Sequence, residues 1–230
     1  MRTAVTIFPG SNCDRDMIIA LKKITGKIPV KLWHKETEVP NLDLIVIPGG
    51  FSFGDYLRCG ALAARSPIIK SIKNHISRGG AVLGVCNGFQ ILIEAKLLPG
   101  SLIKNKKLLF TCKKTLLEIQ NTLPSPFCSG FKVGTTLEIP VAHNEGNFFA
   151  SKEMVEKLEG EGRIAFKYKQ IKNNKNSFNP NGSLNDIAGI LSKNGRVLGM
   201  MPHPERVINK FQGGIDGLKF LSKSIEHLVG

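Results

Sequence analysis

Short, almost wholly apolar segments alternate with helical patterns through the first half of the chain. The apolar segments predict four strands, at residues 3–8, 30–34, 42–47 and 81–85. Between them, residues 17–24 and 68–76 repeat apolar side chains at helical spacing. Strands that lack polar alternation are buried on both faces, as in a parallel sheet whose crossovers are helices. The chain is therefore predicted to have an α/β fold, with a mostly parallel central sheet and helices on both faces.

The second half of the chain is richer in strands than in helices. Further strands are predicted at residues 110–119, 136–141, 164–169, 187–191 and 197–201, and helices at residues 152–158 and 217–229. These strands predict a small antiparallel extension built from hairpins. Residues 172–182 are rich in asparagine and end in an Asn-Pro-Asn-Gly turn, so they are predicted to run over the surface. Since no linker or repeat separates the halves, residues 1–230 are predicted to form a single domain.

Charge and hydropathy argue against two classes of protein. The 230 residues include 32 Lys and Arg against 18 Asp and Glu, a formal net charge of +14. The basic residues are spread along the chain without interleaved aromatic residues, so nucleic-acid binding is not favoured. The apolar runs fall far short of the ~20 residues that cross a bilayer, and the N-terminus lacks the apolar region of a secretory signal. We expect a cytoplasmic protein with no membrane role.

The cysteines and most of the histidines show no pattern of their own. Five cysteines occur without Cys-x-x-Cys spacing, so reduced thiols are expected and no metal site is predicted. Four of them are interpreted as half-buried small residues: Cys13, Cys59, Cys112 and Cys128. Because Cys59 follows a glycine-rich turn discussed below, it is placed near the candidate site. Three isolated histidines are expected on strand or helix surfaces without a catalytic role: His34, His75 and His227.

The first helix is predicted to be capped by Asn12 or Asp14 and ended by Gly26.

The fifth cysteine stands where an apolar strand turns directly into a helix. In Gly84-Val85-Cys86-Asn87-Gly88, glycines flank Cys86 at the spacing of a nucleophile elbow, with cysteine in place of serine. A helix N-terminus stabilises a thiolate, which is the nucleophilic form of cysteine. The Asn87 N–H is then placed to donate to an oxyanion. The alternative interpretation is a core cysteine at the end of a strand.

A candidate base lies near the C-terminus, in Pro202-His203-Pro204-Glu205. Pro204 favours extended backbone at His203, and side chains two residues apart in extended backbone share a face. Glu205 is therefore predicted to orient His203, so that the other ring nitrogen faces the thiol. The alternative is a surface histidine between two prolines, since the proximity of His203 to Cys86 is only inferred.

A glycine turn follows the third predicted strand, at Pro48-Gly49-Gly50-Phe51. Open α/β sheets form their sites at the carboxyl ends of strands. The Gly50 region is therefore predicted to supply a second oxyanion donor. The alternative is an ordinary connection from strand to helix.

These motifs together resemble the class I, or triad, glutamine amidotransferases, whose fold is flavodoxin-like. The resemblance rests on Gly-Val-Cys-Asn-Gly-Phe-Gln at residues 84–90 and Pro-His-Pro-Glu at residues 202–205. More narrowly, four blocks resemble the glutaminase subunits of phosphoribosylformylglycinamidine synthases: residues 10–16, 49–58, 179–183 and 199–206. The blocks run from near the start of the chain to residue 206.

The resemblance implies that the chain hydrolyses L-glutamine to glutamate and ammonia. Cys86 would form a thioester, His203 would transfer the protons, and Glu205 would hold the imidazole. Contacts with glutamine are implied for four residues: Phe51, Gln90, His143 and Asn144. Asn147 departs from the family pattern, in which a basic residue is expected, and this puts an ion pair with a partner at that position in doubt.

The resemblance also implies partner subunits. A synthetase subunit that uses ATP and Mg²⁺ would consume the ammonia in de novo purine biosynthesis, and a small third subunit would complete the complex. This chain has no Gly-x-x-x-x-Gly-Lys-Ser/Thr phosphate loop, so no cofactor is expected on it. Three hypotheses stay open. The first is a glutaminase or related cysteine hydrolase of another pathway, such as carbamoyl phosphate, anthranilate or guanylate synthesis. The second is a catalytically silent regulatory subunit, and the third is a basic nucleic-acid binder.

Overall fold

The computed structural model describes residues 1–120, 123–169 and 178–229. The described strands are β1 (Thr3–Ile7), β2 (Val30–Trp33), β3 (Leu44–Ile47), β4 (Ala81–Val85), β5 (Ser101–Ile103), β6 (Thr111–Ile119), β7 (Thr136–His143), β8 (Asn147–Phe149), β9 (Ile164–Lys169), β10 (Ile187–Leu191) and β11 (Val197–Met200). The described α-helices are α1 (Asp14–Thr25), α2 (Ile68–Ser77), α3 (Asn87–Glu94), α4 (Lys152–Gly160) and α5 (Asp216–Val229). None of the described helices combines the length and the apolar character that crossing a bilayer requires.

Nine of the described strands form one sheet, in the order β2-β1-β3-β4-β11-β10-β9-β6-β7. Neighbours from β2 to β11 in this order are parallel, and neighbours from β11 to β7 are antiparallel. β5 and β8 form a separate antiparallel pair. The parallel half has the 2-1-3-4-5 order of flavodoxin-like folds, with β11 as the fifth strand. The predicted α/β fold with an antiparallel extension is confirmed.

The parallel strands form the centre of the hydrophobic core. Every residue of β3, β4 and β11 is buried, so both faces of these strands are covered. α3 packs on β3, β4 and β11, whereas α1 packs on β1 and against α5. The apolar runs in the sequence thus follow from burial on both faces of the sheet. One sheet draws strands from both halves of the chain, which favours a single domain over residues 1–230, and that assignment stays a prediction.

The N-terminus of α1 differs from the prediction. Cys13 occupies the N-cap position instead of Asn12 or Asp14. Asn12 faces the glycine turn after β3, where a Cβ on Gly50 would lie 2.8 Å from its Oδ1 atom. Asn12 therefore packs against the glycine turn and does not cap the helix. Gly26 ends the helix as predicted, in the left-handed conformation with a φ of 70°.

Other local predictions also need correction. Five residues predicted as strand ends lie just outside the strands: Phe8, His34, Leu42, Phe110 and Met201. β5 and β8 were not predicted, because segments of three residues carry too little pattern. Part of the predicted surface excursion, residues 172–177, lies outside the described residues. Asn181, near its end, is buried instead of exposed, because its side chain bonds to the Gly146 carbonyl and the Ser183 N–H.

The carboxyl ends of four adjacent strands meet at one edge of the parallel half. The segments that follow β1, β3, β4 and β11 carry, in that order, Cys13, Gly50, Cys86 and His203. Parallel strands all end at the same edge of a sheet, and this edge is where such folds place their sites. Residues that are far apart in the sequence are thereby brought together.

Candidate active site

Cys86 lies at the sharp turn between β4 and α3. Its backbone has a φ of 51° and a ψ of −106°, a sparsely populated conformation that is typical of functional sites. A Cβ on Gly88 would lie 1.9 Å from the Ile47 carbonyl oxygen, and one on Gly84 would lie 2.7 Å from the Gly88 oxygen. Only glycines fit on both sides of Cys86, because the strand and the helix pack so closely. This is the geometry that the elbow spacing predicts.

His203 and Glu205 form a buried pair beside this turn. The His203 Nδ1 atom lies 2.6 Å from the Glu205 Oε1 atom, and the two side chains are 1% and 0% exposed. Pro204 begins a short 3₁₀ turn, so the pair forms across this turn and not along extended backbone as predicted. The His203 N–H donates to the Pro140 carbonyl of β7, which anchors the base to the antiparallel half of the sheet.

Gly49 brings the thiol and the imidazole together. A Cβ on Gly49 would lie 2.6 Å from the His203 Cε1 atom and 3.3 Å from the Cys86 Cβ atom. Both side chains therefore pack against the backbone of Gly49, which has no side chain to hold them apart. The Cys86 thiol also points toward the Ala142 carbonyl, with the Sγ and O atoms 3.7 Å apart. The inferred proximity of Cys86 and His203 is thus present in the structure.

The surroundings of His203 favour its protonated form. Burial alone would lower its pKa, but the Glu205 carboxylate and the thiols of Cys86 and Cys13 together raise the pKa well above its ordinary value. An imidazolium that a buried carboxylate orients is suited to giving a proton to a leaving group. The pair therefore has the electrostatics expected of a general acid and base.

The two predicted oxyanion donors adjoin the thiol. Asn87 is the first residue of α3, so its N–H is among the amides at a helix N-terminus that lack an intrahelical partner. Gly50 lines the cleft that contains Cys86, and its φ of 130° is accessible mainly to glycine. The Asn87 side chain also anchors the glycine turn, because its Oδ1 atom accepts from the Ser52 hydroxyl at 2.5 Å and the Ser52 N–H at 3.3 Å. The donor roles of Asn87 and Gly50 stay predictions.

A cleft opens over Cys86 and His203. It is lined by the four residues to which the resemblance assigns glutamine contacts: Phe51, Gln90, His143 and Asn144. The Gln90 amide donates to the Glu145 carbonyl at 2.6 Å, and its oxygen accepts from the Asn87 side chain at 2.9 Å. Both ends of this amide are engaged within the protein, which favours a role in shaping the cleft. Direct contacts with glutamine stay predictions.

His143 is held as a neutral imidazole by two buried asparagines. Its Nδ1 atom lies 3.0 Å from the Asn105 Oδ1 atom, and its Nε2 atom lies 3.5 Å from the Asn181 Nδ2 atom. The Asn105 oxygen also accepts from the Gly146 N–H, so Nδ1 is the nitrogen that carries the hydrogen. Burial and the nearby His203 lower the pKa of His143 to about 3. These contacts favour a structural role for the ring, and the predicted contact with glutamine stays a prediction.

The cleft residues that were not predicted as site residues include four with polar or ionisable side chains next to the predicted ones: Cys13, Asp55, Glu145 and Arg206. Cys13 is buried, and the Arg206 guanidinium donates to its Sγ atom at 3.1 Å. Burial raises the pKa of Asp55, and burial together with Asp55 raises the pKa of Cys59. Each of the four residues lies inside a motif block or beside a predicted site residue, and this adjacency is the signal that could have found them.

Three of the isolated cysteines and two of the isolated histidines are more buried than predicted. Cys13, Cys59 and Cys128 are buried instead of half-buried, whereas Cys112 is exposed. Cys59 lines the cleft, as expected.

His34 and His75 are also buried instead of exposed, and burial lowers the pKa of both. Each ring has a polar neighbour, since His34 lies 3.2 Å from the Ser66 hydroxyl and His75 lies 3.1 Å from the Ala81 carbonyl. Such pairing explains how a neutral imidazole is accommodated inside. His227 is exposed on α5, as predicted.

The comparison with protein families agrees with this geometry. Residues 1–218 match the family described as the CobB/CobQ-like glutamine amidotransferase domain. The chain belongs to this family of glutamine amidotransferases, and the matched range includes Cys86 and the His203–Glu205 pair.

Within the family, the chain is similar over nearly its full length to phosphoribosylformylglycinamidine synthase subunit PurQ. The PurQ of Mesorhizobium japonicum is 52% identical over 217 residues, which cover 94% of this chain and 95% of the relative. The PurQ of Brucella suis biovar 1 is 53% identical over 218 residues, with the same coverage of both chains. A chain of the PurLQS structure from Thermotoga maritima superposes with a TM-score of 0.86 at 38% identity and covers 99% of this chain and 98% of that chain. The resemblance predicted from the motifs is confirmed.

Proposed function

We propose that the chain is the glutaminase subunit of a phosphoribosylformylglycinamidine synthase. It hydrolyses L-glutamine to glutamate and ammonia and delivers the ammonia to a synthetase subunit in de novo purine biosynthesis. The observation that carries this proposal is the convergence of Cys86 with the buried His203–Glu205 pair at the carboxyl ends of β4 and β11. The full-length similarity to PurQ supports the choice of pathway.

The first half of the reaction forms a thioester. The Cys86 thiolate attacks the side-chain amide carbon of glutamine, and the carbonyl oxygen becomes an oxyanion. The N–H groups of Asn87 and Gly50 stabilise this oxyanion, a contribution of roughly 3 kcal/mol for each donor. The carbon–nitrogen bond then breaks as the His203 imidazolium gives its Nε2 proton to the leaving nitrogen. Ammonia departs and the glutamyl group stays on the Cys86 sulfur.

The second half releases glutamate. A water molecule gives a proton to the His203 Nε2 atom and attacks the thioester carbon. The same N–H groups hold the second oxyanion, and cleavage of the carbon–sulfur bond restores the thiolate. Glu205 keeps its carboxylate on Nδ1 throughout, so that Nε2 always faces the reacting atoms.

Exposed apolar residues on the chain segments that line the cleft provide a surface for the synthetase. The rim patch consists of Phe51, Tyr56, Leu57, Leu108, Leu109 and Phe110, all exposed. Phe51 and Phe110 line the cleft itself, while Leu57 and Leu108 are 88% and 71% exposed. Apolar residues concentrated around a polar site mark an interaction surface. A synthetase docked there would receive ammonia before it meets bulk water, where protonation would make it unreactive.

The complex contains further components in this proposal. ATP and Mg²⁺ act on the synthetase subunit, a small third subunit completes the assembly, and the whole complex works in the cytoplasm. The solved relative from Thermotoga maritima belongs to a PurLQS structure, which supports an assembly of several subunits.

Glutamate release from glutamine tests the proposal. The chain is assayed alone and together with its synthetase and small subunit, with Cys86→Ala as the control. We expect the rate to rise strongly with the partners and to vanish in Cys86→Ala. A complete mixture that releases no glutamate, or a Cys86→Ala complex as active as the wild type, would contradict the proposal.

Charged substitutions in the rim patch test where the synthetase docks. Leu57→Asp and Leu109→Asp are expected to weaken binding of the synthetase about tenfold or more, the effect of losing roughly 1.4 kcal/mol. Ile28→Asp is the matched control, because Ile28 is an exposed apolar residue before β2 and outside the patch. Equal affinity for all three variants would refute this docking surface.

A further inference from the structure

A third ligand-type side chain lies beside the candidate base and takes no part in the proposed reaction. The Cys13 Sγ atom, one ring nitrogen of His203 and one carboxylate oxygen of Glu205 all lie within 4.8 Å of one another. All three side chains are buried. Thiolate, imidazole and carboxylate are the groups that bind Zn²⁺ in proteins, so this cluster has the composition of a zinc site.

Two buried atoms of the cluster lack a hydrogen-bond partner among the described residues: the His203 Nε2 atom and the Glu205 Oε2 atom. The Nδ1 atom of the same ring is already paired with Glu205 Oε1 at 2.6 Å. Histidines that bind metals commonly have their second ring nitrogen held by a carboxylate in this way. The His203 ring is thus oriented so that Nε2, once it has lost its proton, is the nitrogen available to a metal ion.

Arg206 is the nearest charged neighbour that the structure shows at the Cys13 sulfur. Its guanidinium donates to the Cys13 Sγ atom at 3.1 Å. The same positive charge repels a metal ion, so a bound ion is in competition with Arg206. A reversible inhibitory site fits this balance better than a resident cofactor site does.

We propose that Zn²⁺, or another borderline-soft divalent cation, binds between the Cys13 Sγ atom and the His203 Nε2 atom and inhibits the glutaminase. Zinc bonds of roughly 2.3 Å to sulfur and 2.0 Å to nitrogen require the two atoms to lie within about 4.3 Å of each other, and the Cys13 Sγ atom lies within 4.8 Å of one His203 ring nitrogen. The proton of the Cys13 thiol and the Nε2 proton of the His203 imidazolium go to solvent when the metal binds. Cys86, whose thiol interacts with the same imidazole, is a further ligand. An occupied Nε2 atom cannot transfer protons, so turnover stops.

Cobalt binding to the full chain tests the site without depending on activity. Co²⁺ is titrated into the Cys86→Ala variant, in which the nucleophile cannot contribute a thiolate, and the thiolate-to-cobalt absorption band is recorded. We expect a band at one Co²⁺ per chain that Zn²⁺ displaces. The band should be lost in Cys86→Ala/Cys13→Ser and kept in Cys86→Ala/Cys59→Ser, because Cys59 lines the same cleft next to Asp55. Absence of the band in Cys86→Ala, or its persistence without Cys13, would overturn the proposal.

Inhibition of the assembled complex gives a second, independent test. Glutamate release is measured against free Zn²⁺ for the wild type, Cys13→Ser and Cys13→Ala, and each inhibition is expressed relative to that variant's own metal-free rate. The concentration that halves the rate should rise at least about tenfold in both variants, since a tenfold change corresponds to losing roughly 1.4 kcal/mol of binding energy. Equal sensitivity of all three proteins would show that Cys13 is not a ligand. Unfolding curves for the variants without metal establish that they are folded.

Discussion

Protonation of His143 should make the protein measurably less stable in mild acid. Its pKa is lowered from 6.5 to about 3 in the folded chain, whereas the unfolded chain has the ordinary value. Between these two pH values the unfolded state binds a proton that the folded state excludes, so stability is complete above pH 6.5 and falls as the pH decreases. The loss is about 1.4 kcal/mol per pH unit. From pH 6.5 to about pH 5 it amounts to about 2 kcal/mol.

Urea unfolding at about pH 7.5 and about pH 5 measures this loss. The proteins are the wild type, His143→Gln, and His227→Gln as a control at an exposed histidine on α5. On going from about pH 7.5 to about pH 5, the free energy of unfolding of the wild type and of His227→Gln should fall by about 2 kcal/mol more than that of His143→Gln. The comparison uses the change with pH, so any constant cost of the substitution cancels. An equal loss in His143→Gln would refute the assignment of a buried, neutral His143.

Two further predictions concern the triad. Glu205→Gln keeps the shape of the side chain but removes the carboxylate that lies 2.6 Å from His203. The kcat for glutamate release by the complex should therefore fall by about 10²-fold or more. A kcat close to that of the wild type would contradict the orienting role of Glu205. In Gly49→Ala the new Cβ would lie 2.6 Å from the His203 Cε1 atom, and the displaced imidazole should lower kcat by about 10²-fold. Gly160→Ala is the control for Gly49→Ala, because a Cβ at Gly160 meets no described heavy atom within 4 Å. Equal rates for the two alanine variants would count against the close packing at Gly49.

The central part of the fold was predictable because its physical cause is local in the sequence. β3 and β4 are apolar throughout, since both faces of the parallel sheet are covered, and periodicity detects such strands directly. The cap of α1 was not predictable in the same way. Asn12 has the right chemistry for an N-cap, but its side chain lies against Gly50 in the turn after β3, a proximity that the local sequence does not reveal.

The candidate site was likewise predictable only where the physical cause is local in the sequence. The elbow at Cys86 was predictable, because the glycines on either side reflect contacts that any such turn must make. The pairing of Cys86 with His203 depends on β4 lying beside β11, and strand order is a property of the whole sheet. Cys13 was missed for that reason too, since its position near His203 follows from where β1 ends in the sheet. His143 carried a motif signal, but its asparagine partners come from distant segments.

Peptide mass spectrometry of the assembled complex, sampled during turnover, tests the proposed chemistry most directly. Samples supplied with glutamine are quenched in acid, and the peptide that contains Cys86 is examined for one added glutamyl group. The adduct should be present in the wild type and in Cys128→Ser, a control at a buried thiol, and absent in Cys86→Ala. A glutamyl group on a different residue, or glutamate release that persists in Cys86→Ala, would contradict a Cys86 thioester.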